Sequence, residues 1–533
     1  MLSLIIENGL IVDGSGNPWY LADVGVQGDR IACIGDLKHM KAQRRIDAQG
    51  QVVAPGFIDI HTHSDLPLVV DGRAESHIRQ GVTTSVTGNC GTSAAPATED
   101  TLGLMEGMGV GGAQGMNLAW RTPGEYLKLL EKTGVSTNVA ALVGHGTVRN
   151  CVMGYRAGKP TGEELARMKD VVAQAMEAGC FGMSTGLVYT PGVYAGTDEI
   201  VELASVVAGY DGLYATHIRG ENDTVMDALQ EGLSIGRRAG VRVQVSHLKA
   251  MGRHMWGKSL DMLAAIDEAR AEGIDVTFDQ YPYTASATGL SAVLPPWAQE
   301  GGKDEFMRRL GDSDTRARMR EDILNGTGDW VSMHKGVGWE NILITQCPAP
   351  SVEGKSVAQI AAEQGKDGFD ACFDLLLKFQ GSPRIVYFTI GDEDLERIMR
   401  HPAGMIGSDS GASHLEGPLA AGKPHPRGFG TFVRVLGRYV REKGVLTLEE
   451  AVRRMTSAPA QKLRLLDRGL LRPGMKADIA VFDPDTVIDT ATYENPHSYA
   501  TGVSTVVVNG QVVIDQGEHT GALAGEVLRL REC

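Results

Sequence analysis

Positive charge is the first thing this sequence is short of. Lys and Arg number 51 against 66 Asp and Glu, a formal net charge of −15, and a body of that sign attracts neither nucleic acid nor an anionic membrane. Long hydrophobic runs are missing too, since no window approaches the roughly 18 uninterrupted apolar residues of a transmembrane helix. The start, Met1-Leu2-Ser3-Leu4-Ile5-Ile6-Glu7-Asn8, has no basic segment ahead of a long apolar one, so no signal peptide is expected. Cysteines are few, odd in number and scattered (Cys33, Cys90, Cys151, Cys180, Cys347, Cys372, Cys533), the pattern of a reduced, cytoplasmic protein rather than of a disulfide framework. Aromatic residues make up only 6%.

What is there is a globular chain of 533 residues, 42% hydrophobic and 22% charged, long enough for one large domain plus an accessory one or for about three ordinary ones. Its 68 glycines suit an α/β enzyme with many strand-to-helix turns.

Short β patterns crowd both ends. Leu4–Ile6, Gly9–Val12, Asp23–Val26 and Ile31–Ile34 are separated by Asn, Asp and Gly, and the same texture returns in Ala477–Phe482 and Val503–Gly510. This predicts one small β-sandwich built from both termini, residues 1–54 and 461–533. The middle, 55–460, alternates buried-strand runs with helical patterns. The runs are Gly56–Ile60, Val82–Gly88, Asn138–Gly144, Cys180–Ser184, Gly212–Thr216, Val241–Ser246, Ile274–Gln280 and Ala403–Ser408, with helices such as Gly162–Ala178, Thr224–Ala239 and Ser259–Glu272 between them. Eight strands in a β-then-α rhythm predict an α/β fold, a (β/α)8 TIM barrel, with an open doubly wound sheet as the alternative. The span exceeds a typical ~250-residue barrel, so an insertion is expected at about 285–400, between strands seven and eight. Met105–Met116 reads as a Gly/Met-rich loop. Its Gly107-x-Gly109-x-x-Gly112 matches a nucleotide fingerprint only formally, because it does not lie between a strand and a helix of a nucleotide-binding unit.

The chemistry gathers at strand ends. In Phe57-Ile58-Asp59-Ile60-His61-Thr62-His63 the two imidazoles stand two residues apart and so face one side of the strand's C-terminal end, the catalytic face of a barrel. Cys90 follows the second run, His217 the fifth, His247 the sixth and Asp409 the eighth. Each alone has an ordinary explanation as a core or turn residue. Together they put five candidate positions at the C-terminal ends of different strands, and four of the 14 histidines share this one place in the repeat. A thiolate with two imidazoles favours Zn2+ over Mg2+ or Ca2+. Three protein ligands leave a position for water, whose pKa such an ion brings toward ~7. Asp409 is the only carboxylate of the set and takes the acid/base role, while His61 and His63 hold a second ion or complete the first.

These residues resemble the amidohydrolase superfamily, in Pro55-Gly56-Phe57-Ile58-Asp59-Ile60-His61-Thr62-His63, His217, His247 and Asp409. Within it Gly88-Asn89-Cys90-Gly91, Thr216-His217-Ile218-Arg219, Ser246-His247-Leu248-Lys249, His425-Pro426-Arg427 and Met455-Thr456-Ser457-Ala458-Pro459-Ala460 are similar to the D-aminoacylase (N-acyl-D-amino-acid deacylase) family, over nearly the whole chain. The resemblance implies one tightly held Zn2+ at Cys90, His217 and His247, and a weaker second position at His61 and His63 that Cys90 bridges. It implies hydrolysis of a small N-acyl-D-amino acid with Asp409 as acid/base, and Lys249 and Arg427 on the substrate carboxylate. Tyr189, Tyr281 and Tyr283 match pocket tyrosines, and His145, ending the third run, is a further pocket candidate. The loop from Asp409 to Arg427 is longer than the family pattern.

Three other readings compete. A hydantoinase or dihydroorotase carries a carboxylated lysine after the fourth strand, where this chain has Met183-Ser184-Thr185. A deaminase-like enzyme would use Glu221 as a second proton carrier, which leaves Cys90 unexplained. A non-catalytic scaffold would be expected to have lost ligands, and all are present.

Overall fold

The computed structural model describes residues 1–98, 101, 104, 119–328 and 330–530; the Met105–Met116 loop and its glycine pattern lie outside them. Eight parallel strands run side by side in chain order: Phe57–Asp59, Val82–Thr87, Asn138–Gly144, Gly182–Gly186, Leu213–His217, Arg242–Val245, Val276–Gln280 and Gly404–Ile406. The first and eighth close the barrel just beyond their ends, where Asp409 N–H donates to His61 O at 2.8 Å and His63 N–H to Ser410 O at 3.0 Å. All eight overlap the runs read from the sequence; most are hydrophobic because they are covered on both faces, while Val82–Thr87 and Gly182–Gly186 are buried strands rich in Thr, Ser and Gly. Helices Gly162–Glu177, Val225–Ala239 and Ser259–Ala271 return between strands. The first of these starts on a capping box, Thr161 with Glu164.

Both termini enter one sheet. Leu2–Ile11 pairs antiparallel with Tyr20–Gln27 on one side and, in tandem on the other, parallel with Ala42–Asp47 and Val52–Pro55; Ile479–Phe482, Val503–Val508 and Gln511–Asp515 extend the same path. The hydrogen-bond path runs through eight strands, with Ala42–Asp47 paired to Leu2–Ile11 beside it, so the extra β domain expected from both termini takes the form of one branched nine-stranded sheet. The reason is the ten-residue first strand, long enough to take two successive partners along one edge. Leu4, Ile6, Val24 and Val26 pack with Ile479, Val481 and Val507 in its core. Gly56 joins sheet to barrel, where a Cβ would come within 2.2 Å of Thr83 Oγ1.

Between the seventh and eighth strands the chain builds a three-stranded antiparallel sheet, Ala285–Gly289, Ile342–Gln346 and Arg384–Phe388, with helices Lys303–Gly311, Ser313–Asn325, Val357–Gln364 and Gly368–Lys378 around a separate apolar core. Helix Asp392–Arg400, within the expected insertion, instead packs back on the barrel helix Ser259–Ala271. The inserted unit lies over the C-terminal strand ends: Thr288 Oγ1 donates to Tyr189 Oη at 3.2 Å and Asn222 Nδ2 to Val331 O at 3.1 Å. Among the described residues no helix is long and apolar enough to cross a membrane.

Candidate metal centre and substrate pocket

The turn Gly88-Asn89-Cys90-Gly91 is pressed against neighbouring strands. A Cβ on Gly88 would lie 2.0 Å from Leu142 O and one on Gly91 2.5 Å from Gly186 N, so only glycine fits, and both have positive φ, 77° and 75°. Cys90 between them is itself left-handed, φ 50°, as are His247 at 37° and Asp409 at 51°. For non-glycine residues such backbone costs about 1–3 kcal/mol each and clusters at functional sites. Here it turns three strand-end side chains inward.

Two overlapping groups result, His61, His63, Cys90 and Asp409, and Cys90, His217 and His247, with the donor atoms within each group all within 4.8 Å of one another. The Cys90 sulfur belongs to both, 3.3 Å from His61 Nε2 and 3.4 Å from His247 Nε2. Asp409 Oδ1 lies 3.0 Å from His63 Nε2 and 3.4 Å from His61 Nε2. Neither ring nitrogen of buried His217 makes an aligned hydrogen bond among the described residues, although Nε2 lies 3.5 Å from Glu221 Oε2, and such an orphaned imidazole fits a metal ligand.

The electrostatics agree. Burial opposes charge on the Cys90 thiol, yet the adjoining imidazoles of His61 and His247 hold its pKa well below the usual thiol range. Burial likewise opposes charge on His63 and His217, but Asp409 and the thiolate raise the first to about 9, and Glu221 and the thiolate raise the second to about 9. Lone pairs aimed at one another are reconciled by shared protons or by a metal ion, and a buried thiolate with imidazoles is a zinc donor set. Asp409 is buried, which disfavours its charge, but the Arg427 guanidinium and the surrounding imidazoles hold its carboxyl well below the ordinary range.

The expected pocket residues divide. Arg427 Nη1 reaches 2.8 Å from Asp409 Oδ2, so the long preceding loop does not keep it away. The approach is not aligned as a hydrogen bond, and Nη1 and Nε are buried donors without an acceptor among the described residues. Tyr281 lies beneath, its ring centre 4.7 Å from the guanidinium carbon and 5.9 Å from Lys249 Nζ, with its hydroxyl 2.7 Å from Ser286 Oγ. The Tyr189 ring is 5.0 Å from His217. Lys249 Nζ is 2.5 Å from Glu221 Oε1 and 2.9 Å from His247 Nδ1. Two side chains point elsewhere. His145 Nε2 sits 2.9 Å from Glu199 Oε1, a carboxylate that Arg149 also grips, and Tyr283 donates at 3.4 Å to Asp489 Oδ2 in the C-terminal segment.

Sequence reasoning passed over the carboxylates that support this arrangement. Glu221, weighed only for a deaminase, joins Lys249, His247 and His217. Asp279 went unnoticed although it lies near the C-terminal end of a barrel strand, the one signal it offered. It meets His61 Nδ1 at 3.0 Å.

Comparison with known proteins accords with the geometry. A model of the Amidohydrolase family matches residues 44–514. D-aminoacylase of Alcaligenes xylosoxydans xylosoxydans is 38% identical, covering 98% of this chain and 97% of that protein. N-acyl-D-glutamate deacylase of the same organism is 40% identical over 97% and 94%. The crystal structure of N-acyl-D-glutamate deacylase from Bordetella bronchiseptica, complexed with zinc and a phosphonate inhibitor that mimics the reaction's tetrahedral intermediate, superposes with a TM-score of 0.83 at 38% identity, covering 99% of each chain.

Proposed function

The chain belongs to the amidohydrolase family, and we propose that it is a zinc-dependent amidase that hydrolyses N-acyl-D-amino acids to a carboxylate and a free D-amino acid. The observation that carries this reading is the Cys90 sulfur shared by the two donor groups, with Asp409 and Arg427 paired beside it. Cys90, His217 and His247 would hold one zinc ion tightly; His61, His63 and Asp409, with the same sulfur, offer a weaker second position. The ion supplies a Lewis acid that makes water acidic near neutrality.

Asp409, ionised at neutral pH, takes a proton from the attacking water as its oxygen bonds to the acyl carbon. It then returns that proton to the amide nitrogen as the C–N bond breaks, so that the amine leaves neutral. Arg427, with buried donors lacking acceptors, binds the substrate α-carboxylate, and Lys249 adds a second positive charge near it. Tyr281, under both cations, fixes their approach. The D configuration follows from the names of the relatives at 38% and 40% identity. A cyclic amidase of the carboxylated-lysine type is disfavoured at the fourth strand: Ser184 Oγ is bound to Gly88 O and Thr185 Oγ1 to Thr216 Oγ1, with no lysine at that strand end. The scattered cysteines support a cytoplasmic setting.

The test is a hydrolysis panel of N-acetyl D- and L-amino acids, with and without a chelator. Turnover confined to the D series, lost on chelation and restored by zinc, is expected; preferential L hydrolysis or indifference to chelation would overturn the proposal.

A further inference from the structure

Asp279 is the penultimate residue of the seventh barrel strand, 1% exposed, and three donors converge on its carboxylate. Oδ1 is 3.0 Å from His61 Nδ1 and accepts the backbone N–H of His247 at 2.8 Å; Oδ2 accepts Gln244 Nε2 at 2.9 Å. Gln244 is fixed in turn, its Oε1 accepting Thr277 Oγ1 at 2.5 Å. Space for this junction depends on Gly407, where a Cβ would stand 2.8 Å from His61 Cβ and 3.3 Å from Asp279 Oδ1.

The two residues bound by that single oxygen come from opposite groups. His61 belongs with His63 and Asp409, and His247 with His217, yet both put Nε2 against the Cys90 sulfur, at 3.3 and 3.4 Å. A carboxylate accepting from Nδ1 sets the His61 tautomer, leaving the Nε2 lone pair toward the donor cluster. The second bond acts on backbone. His247 has φ 37°, a conformation a non-glycine residue keeps only when its surroundings hold it, and the N–H accepted by Asp279 Oδ1 holds it together with Leu248 N–H on the Asp279 carbonyl at 2.8 Å and Lys249 Nζ on the His247 carbonyl at 3.2 Å.

We infer that Asp279 is a positioning residue that aligns His61 and His247 on the Cys90 sulfur, so that one carboxylate on strand seven sets the zinc affinity of both donor groups. The inference rests on the zinc reading above. Removing such a support costs about 10- to 100-fold in metal affinity.

The experiment strips zinc from full-length wild type, Asp279→Ala and Asp279→Asn, measures affinity by competition with a chromophoric chelator, and records thermal melting of each apo-protein. Cobalt loading adds the sulfur-to-metal absorption band as a readout of Cys90. Zinc binding about 100-fold weaker in Asp279→Ala and about tenfold weaker in Asp279→Asn, whose amide oxygen can still accept from His61 and His247, is expected, with an altered cobalt band. A merely structural role would lower the melting temperature and leave zinc affinity unchanged in whichever variant folds, and that result overturns the inference. Should Asp279→Ala not fold, the Asp279→Asn affinity decides alone. Failure of wild type to bind zinc would overturn the metal reading itself, a distinct outcome.

Discussion

Arg427 and Asp409 form a buried ion pair at 2.8 Å, their side chains 6% and 10% exposed. Two consequences follow from one contact. The guanidinium favours the ionised form of Asp409 despite burial, and its own Nε and Nη1 have no hydrogen-bond acceptor among the described residues. In the proposed reading an arriving carboxylate would supply that acceptor without displacing Asp409, and the substrate's anionic end would lie beside the proposed base.

Replacing Arg427 with lysine keeps a positive charge near Asp409 but removes the planar fork and its stacking 4.7 Å over Tyr281. Hydrogen bonds to charged groups contribute about 1.5–3 kcal/mol, so KM for an N-acetyl-D-amino acid should rise about 30-fold with kcat reduced only a few-fold. The matching substrate carboxamide should show little difference between the two enzymes. An unchanged KM for the acid would remove Arg427 from carboxylate binding.

Asp409→Asn separates chemistry from geometry. Asparagine is among the residues that best tolerate positive φ, so the φ of 51° is retained, as is the side-chain shape. The buried Arg427 loses its partner, at a stability cost of about 3 kcal/mol, but the zinc donors Cys90, His217 and His247 are untouched. The variant should keep the tightly held zinc of the Cys90, His217 and His247 group by metal analysis and lose kcat by about three orders of magnitude, within the range of general acid–base contributions. Near-normal turnover would exclude Asp409 as the proton carrier.

The strands were legible because their burial and the turns around them are marked locally, and the candidate ligands were read as the His, Cys and Asp residues that follow them, as Cys90 follows Val82–Thr87. Partnerships were not legible. That Lys249 answers Glu221, His145 answers Glu199 and His61 answers Asp279 depends on which strands adjoin around the barrel, and a carboxylate carries no local mark of its partner. The terminal sheet shows the same limit. Its strands were visible at both ends, while the tandem pairing along Leu2–Ile11 that makes them continuous is a property of register.

His77 gives the fold a sensitivity to acid that is separate from catalysis. It is buried in helix Glu75–Ile78, both ring nitrogens lack partners among the described residues, and burial alone lowers its pKa to about 4. The unfolded chain, with an ordinary value near 6.5, binds the proton more readily, so the stability present above that pH is lost as pH falls toward 4. Between pH 7.5 and pH 5 the loss amounts to about 2 kcal/mol. His77→Leu removes the titrating group and two unsatisfied polar atoms, so urea denaturation at the two pH values should differ by about that much less than in wild type. An equal acid sensitivity in the variant would sink this assignment.

Cys90 is where the two donor groups meet, so its removal tests the arrangement most directly. Alanine there keeps a side chain compatible with the tight turn between Gly88 and Gly91 but deletes the one atom common to both groups. Two imidazoles without the thiolate form an incomplete set for a tightly held ion, and His61 and His247 lose the charge that organises them. Cys90→Ala should therefore fold, retain less than about a tenth of wild-type zinc after dialysis, in line with the strong thiolate contribution to zinc affinity, and lose activity in proportion. Serine should fare no better, because its hydroxyl does not ionise as a thiol does. Full zinc occupancy in either variant would place the sulfur outside the coordination set and return Cys90 to the role of a small buried residue.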